Sequence, residues 1–182
     1  MPLPVSEVER ELRHTRRVRF EGYKRADGLW DIEAHLSDTK SHDYPLKTGV
    51  RRAGQPIHEM WLRVTIDRTM TILDAVASSD AVPYPGGCEG IAPAYRKLIG
   101  LNLMRGFRKA AWELFGAVKG CTHLTELLAG LPTAAIQSFA GEMKEERDDG
   151  RKPFQLDQCH ALETSTETVK QWYPKWYRGK AA

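Results

Sequence analysis

The chain has 182 residues, 41% of them hydrophobic and 28% charged, with a formal charge of +3. That suits one soluble globular domain, 1–182, large enough to bury a core without disulfide staples. No apolar run approaches the roughly 20 residues needed to span a bilayer, so no membrane partner is expected.

Met1-Pro2-Leu3-Pro4-Val5 lacks a basic stretch followed by an apolar one, so no signal peptide is expected. Three cysteines cannot all pair, and a reducing cytoplasm is the expected compartment, with thiols free to act as ligands or nucleophiles. Arg13, Arg16, Arg17, Arg19, Lys24 and Arg25 cluster early. Without an aromatic-rich motif beside them they are expected to form a solvated face, and no nucleic-acid partner is expected.

In chain order, Ser6-Glu7-Val8-Glu9 has the form of a capping box and predicts a short helix within 1–15, to about His14. A sheet region is expected over 16–79. Val18, Phe20 and Gly22 alternate with Arg17, Arg19, Glu21 and Tyr23 at strand period. Asp27-Gly28 supplies a turn. Trp30, Ile32, Ala34 and Leu36 then share one face, opposite Asp31, Glu33, His35 and Ser37. His35 is expected to be solvated. Residues 38–56 show no clear period and predict a loop crossing the sheet. The second hairpin begins at Ile57, with Met60, Leu62, Val64 and Ile66 on one face, and turns at Asp67-Arg68-Thr69. His58 has the parity of the apolar row and points toward the core.

A helical part is expected over 89–143. Ile91, Tyr95, Leu98 and Ile99 share one side of its first segment, and Leu103, Phe107, Ala110, Ala111 and Leu114 form an amphipathic stripe. Leu124, Leu127, Leu128 and Leu131 follow, and Pro132 restarts the pattern. The charged run Glu142–Lys152 predicts a solvated helix end or linker. In the tail, 153–182, the cluster Trp172, Tyr173, Trp176 and Tyr177 is expected to pack back onto the domain.

The chemistry-bearing side chains are His58, Cys88, Cys121, His123, Cys159 and His160. Soft thiolate and imidazole ligands converging from separate elements suit zinc or an iron–sulfur centre. Residues two apart in a helix point nearly opposite ways, so Cys121 and His123 can cooperate only if one lies outside it. Thr122 is a plausible N-cap, which leaves Cys121 just outside and near the positive end of the helix. There a thiolate becomes accessible, for ligation or for nucleophilic attack with His123 as base.

Set against this, cysteine commonly serves as a small buried hydrophobe, and no CxxC pair is present. GxSxG, P-loop, GxGxxG and HExxH are also missing. Asp31 and Glu33 are expected to be solvated carboxylates.

Four stretches resemble an uncharacterised bacterial domain-of-unknown-function family, number two-eight-eight-nine. They are Arg25 to Ala34, Pro56 to Asp67, Gly120 to Leu128 and Cys159 to Leu162. That resemblance implies no activity. A fainter one is to the iron–sulfur cluster assembly scaffold fold, carried by Met60 to Asp67, Gly87-Cys88 and Cys121 in that order. It implies that Cys88 and Cys121 match two of three ligand cysteines, with the first missing, His58 near an acidic ligand's place, and Cys159 as a replacement from the tail.

The expected fold is α+β: an antiparallel sheet of about four strands with helices on one face. The first functional expectation is a small metal-binding protein, accessory or metal-assisted in catalysis. Its zinc or iron–sulfur centre would be held by Cys88, Cys121 and Cys159 or His58, with His123 near. The second is a metal-free lyase or hydrolase acting on a small substrate, with aromatic compounds among the candidates. His58 or His123 would be its acid/base, in a sheet–helix pocket lined by Trp30, Trp61 or Tyr95. A third is an interaction module using the aromatic tail. A small molecule or a partner protein is the expected partner, and self-association stays open.

Overall fold

The computed structural model describes residues 3–140, 142 and 150–179. The chain divides into two compact units, Met1–Ser138 and Phe139–Ala182.

The first unit is built on a four-stranded antiparallel sheet in the order β1-β2-β5-β6. Its strands are β1 (His14–Lys24), β2 (Trp30–Lys40), β5 (Pro56–Ile66) and β6 (Ile72–Ala81). A small hairpin of β3 (Tyr44–Leu46) and β4 (Gly49–Arg51) lies between β2 and β5 in the chain.

Local chemistry sets the turns. Gly28, at φ +83°, closes the β1–β2 turn by donating its N–H to the Arg25 carbonyl. At the β5–β6 turn the Asp67 carboxylate accepts from the backbone N–H groups of Thr69 and Thr71.

Period-two alternation then decides which face is buried. Ile32, Ala34 and Leu36 of β2 stand opposite Val64, Leu62 and Met60 of β5, and all six are almost wholly buried. Helical segments cover this face: a 3-10 helix (Glu89–Leu98), α1 (Phe107–Phe115), α2 (Thr122–Leu128) and α3 (Leu131–Phe139). Gly22 of β1 has no room for a side chain, because a Cβ there would meet the Ser138 side chain of α3 at 1.8 Å. On the opposite face Trp61 stacks on His35 with ring centroids 3.8 Å apart, and Arg19 lies over Trp61. The fold is α+β, as expected.

Two local expectations are corrected. Ser6–His14 is not helical: residues 3–13 carry no regular structure, and β1 already begins at His14. Val8 and Leu12 stay exposed, and so short a segment without an apolar face to bury does not sustain a helix. Residues 38–56 are not a bare loop, since β2 continues to Lys40 and the β3–β4 hairpin fills the middle. Pro45 is tolerated there because a two-stranded hairpin is all edge. Of the charged run 142–152, residues 143–149 lie outside the described residues.

The second unit holds α4 (Glu167–Trp172), N-capped by Thr166, whose hydroxyl accepts from the Val169 N–H. Leu156 and Val169 are among its buried apolar residues. Asp157 ties the unit together by pairing with Lys152 at 2.8 Å and accepting from the Thr164 N–H at 2.7 Å. Within the aromatic cluster, Gln155 Nε2 donates to the Tyr173 hydroxyl and Lys170 lies over the Tyr177 ring, while Trp172 is largely exposed. Among the described residues no helix is long and apolar enough to cross a membrane.

Candidate functional site

At one end of the sheet the inward-facing rows of three strands stop being apolar. β1 starts its row with His14 and Arg16, β2 ends its row with Asp38, and β5 starts its row with His58. Strand register places Arg16 and His58 directly opposite Asp38 on its two sides. Asp38 is a buried carboxylate, its side chain only 5% exposed, and every acceptor direction it has is used. Arg16 grips it as a fork, Nε to Oδ1 and Nη2 to Oδ2, both at 2.8 Å. His14 Nε2 reaches Oδ1 at 2.9 Å, and His58 Nδ1 reaches Oδ2 at 3.0 Å.

These contacts fix the protonation pattern. Burial pushes the Asp38 carboxyl up, but the Arg16 fork and the two histidine contacts outweigh it and hold the group at about 2. An ionised carboxylate only accepts, so the histidine nitrogens facing it must carry the hydrogens. His58 therefore holds its proton on Nδ1 and leaves Nε2 with a free lone pair. Burial lowers the pKa of His58 against the pull of Asp38, which keeps the ring neutral near pH 7.

The other wall is α2. His123 stacks on His58 with ring centroids 3.8 Å apart. Its Nε2 lies 3.6 Å from Asp38 Oδ2, and its Nδ1 lies 3.9 Å from Cys121 Sγ. Burial, then the neighbouring His58, lower its pKa as well. One turn on, Glu126 pairs with Arg16 Nη1, so α2 is tied to the same cluster.

The position of α2 is set from behind. Tyr95 is fully buried, stacks on Phe115, and exchanges hydrogen bonds with the Cys121 N–H and carbonyl at 3.1 Å. Gly120 lets the chain pass close to Phe115, where a Cβ would sit 2.6 Å from the Phe115 carbonyl oxygen. Cys121 is the residue just before the helix, and Thr122 is its first residue, so Cys121 and His123 do share one side.

Of the residues singled out in the sequence, His58, His123 and Cys121 come together. Cys88 is half-buried just before the 3-10 helix, and Cys159 is exposed in the second unit, just before the short turn His160–Leu162. Among the described residues, only Asp38, His58 and His123 form a group of three potential ligands within 4.8 Å of one another, and no cysteine joins them. The aromatic residues expected to line a pocket lie elsewhere. Trp30 is buried at the opposite end of β2, Trp61 is on the other sheet face, and Tyr95 is sealed behind α2.

Asp38, Arg16 and His14 were missed. The signal was parity: Asp38 continues the row Trp30-Ile32-Ala34-Leu36 by one step, and an acid in a buried row needs partners.

The family model described as "Protein of unknown function (DUF2889)" matches residues 14–137. The chain belongs to the DUF2889 family. The matched segment starts at His14 and contains every residue of the cluster, so the site lies wholly within the DUF2889 domain. No curated protein and no solved structure matches the chain.

The site gives this DUF2889 domain a pH signature. The folded pKa values of His58 and His123 lie below 6.5, so between those values and 6.5 the unfolded chain binds more protons. The stability contributed by the neutral pair is complete above pH 6.5 and falls as the pH drops below it. The Asp38 contribution runs lower, complete above 3.8 and lost only toward about 2. Urea midpoints are therefore expected to fall from pH 7.5 to 5.5, and to fall less in a His58→Gln, His123→Gln double variant. Equal slopes for the two proteins would contradict the buried neutral pair.

Proposed function

We propose that this DUF2889 domain is a metal-free enzyme, of lyase or hydrolase type, that uses His58 as general acid/base on a small organic substrate. The observation that carries it is the saturation of Asp38. With its acceptor directions filled by Arg16, His14 and His58, the carboxylate orients an imidazole rather than offering a ligand. His58 Nε2 is the basic atom, and the neutral ring suits proton abstraction near pH 7. His58 and His123 side chains are 19% and 21% exposed, enough to meet a substrate while Asp38 stays dry. His123 and the Cys121 thiol stand beside the base, ready to return or relay a proton.

A second reading has its own observation. Asp38, His58 and His123 are a carboxylate and two imidazoles within 4.8 Å, a donor set suited to zinc or iron(II). A metal held by that carboxylate would compete with the Arg16 fork for it, and would take His58 either through its free Nε2 or by displacing the Nδ1 proton.

The deciding test is a panel of small carbonyl and carboxylate compounds assayed with and without EDTA. Turnover unchanged by EDTA is expected. Activity lost on chelation and restored by zinc or iron(II) would replace the acid–base reading with the metal one.

A further inference from the structure

The β3–β4 hairpin is strapped across the same end of the sheet as the histidine cluster. It leaves the end of β2 and is tied to the chain just past β6: Thr48 Oγ1 donates to the Pro83 carbonyl at 2.9 Å, and Arg51 Nη2 to the Val82 carbonyl at 3.3 Å. Val82 follows Ala81, which pairs with Glu59, the residue after His58 in β5. From the other side, Lys40 stands two residues beyond Asp38, opposite His14, and its Nζ lies 5.3 Å from the centroid of the Tyr44 ring. Tyr44 is the register partner of Arg51. Lys40 thus lies over the Tyr44 ring, and Arg51 is the cross-strand neighbour of Tyr44 in the hairpin that follows Asp38.

Their charges are unanswered. Arg51 and Lys40 are half-buried, and among the described residues neither is ion-paired with a carboxylate. Neighbouring cations are: Arg52 pairs with Asp43, and Arg16 with Asp38 and Glu126. Arg51 spends one of its N–H donors on a neutral carbonyl and keeps a planar fork suited to a carboxylate. Half-buried cations with no internal counter-charge are where an anionic ligand gains most.

We infer that Arg51, Lys40 and Tyr44 form the site for the carboxylate of a small organic acid, presented to the His58 centre proposed above. The carboxylate binds the Arg51 fork with Lys40 as second cation, and the Tyr44 ring packs against the adjoining carbon skeleton. This makes the substrate an organic anion.

Benzoate serves as the probe and benzamide as its neutral isostere, both titrated by NMR. Benzoate is expected to give saturable shifts at Tyr44 and His58, with benzamide much weaker. Arg51→Gln is expected to weaken benzoate about tenfold or more, the loss of a charge-assisted pair. Arg51→Lys should recover part of it, and Arg52→Gln, whose parent residue is already paired, should leave it unchanged. An unchanged amide spectrum outside the hairpin establishes that each variant is folded. His58→Gln is expected to keep benzoate affinity, so loss of the base and loss of the anion site are read separately. No saturable benzoate shift, equal affinity for benzamide, or undiminished affinity in folded Arg51→Gln would overturn the assignment.

Discussion

Asp38→Asn is expected to destabilise the domain by about 3 kcal/mol, the lower end for breaking a buried ion pair. The lower end applies because Arg16 is one-third exposed and keeps some hydration, while the Asp38 side chain is 5% exposed. The substitution conserves volume, so the cost is electrostatic. Asn has one acceptor oxygen and two N–H donors, and it must face four donor contacts: two from Arg16, one from His14 and one from His58. Its amide would point hydrogens at hydrogens. Urea unfolding at pH 7.5 checks this. A loss below about 1 kcal/mol, the scale of a single neutral hydrogen bond, would mean that Asp38 does not organise the cluster.

His58→Gln is expected to lower turnover by about 10²- to 10⁴-fold, the usual contribution of a positioned acid/base. Gln retains an N–H that can reach Asp38, so the fold should hold and KM should change little. The loss then belongs to the proton-transfer step. The pH profile separates this from a structural role, since the wild-type acidic limb, where activity falls as His58 gains a proton, should vanish from the residual activity of the variant. A variant retaining more than about a tenth of wild-type turnover would fall outside the range for general base catalysis.

Much of the sheet was legible because one physical rule governed it. Buried strands with one solvated face alternate, and Trp30 to Leu36 and Met60 to Ile66 do so cleanly enough to give both hairpins. The same rule placed His58 inward. It failed at the ends of the rows, where the site lies. Asp38 and Arg16 break the apolar pattern, so the one was absorbed into a loop and the other into a charged cluster, although each occupies an inward position.

Pairing across strands was the missing information. A buried acid is tolerated only with partners, and those partners come from β1 and β5, 22 and 20 residues away in the chain. The α2 side was half legible. The position of Cys121 before the helix was readable from Gly120 and Thr122, but the Tyr95 hydroxyl that holds it there comes from another element, 26 residues away. The cysteines drew attention as ligands. Of the three, Cys121 approaches the histidines, and there it lies beside His123 alone.

The most direct measurement is long-range ¹H–¹⁵N NMR of the His58 ring at pH 7.5, without added metal. The predicted result is a neutral imidazole protonated at Nδ1 with an unprotonated Nε2, a pattern lost in Asp38→Asn. A ring protonated at Nε2, or an imidazolium at that pH, would contradict the claim that Asp38 fixes His58 as a base.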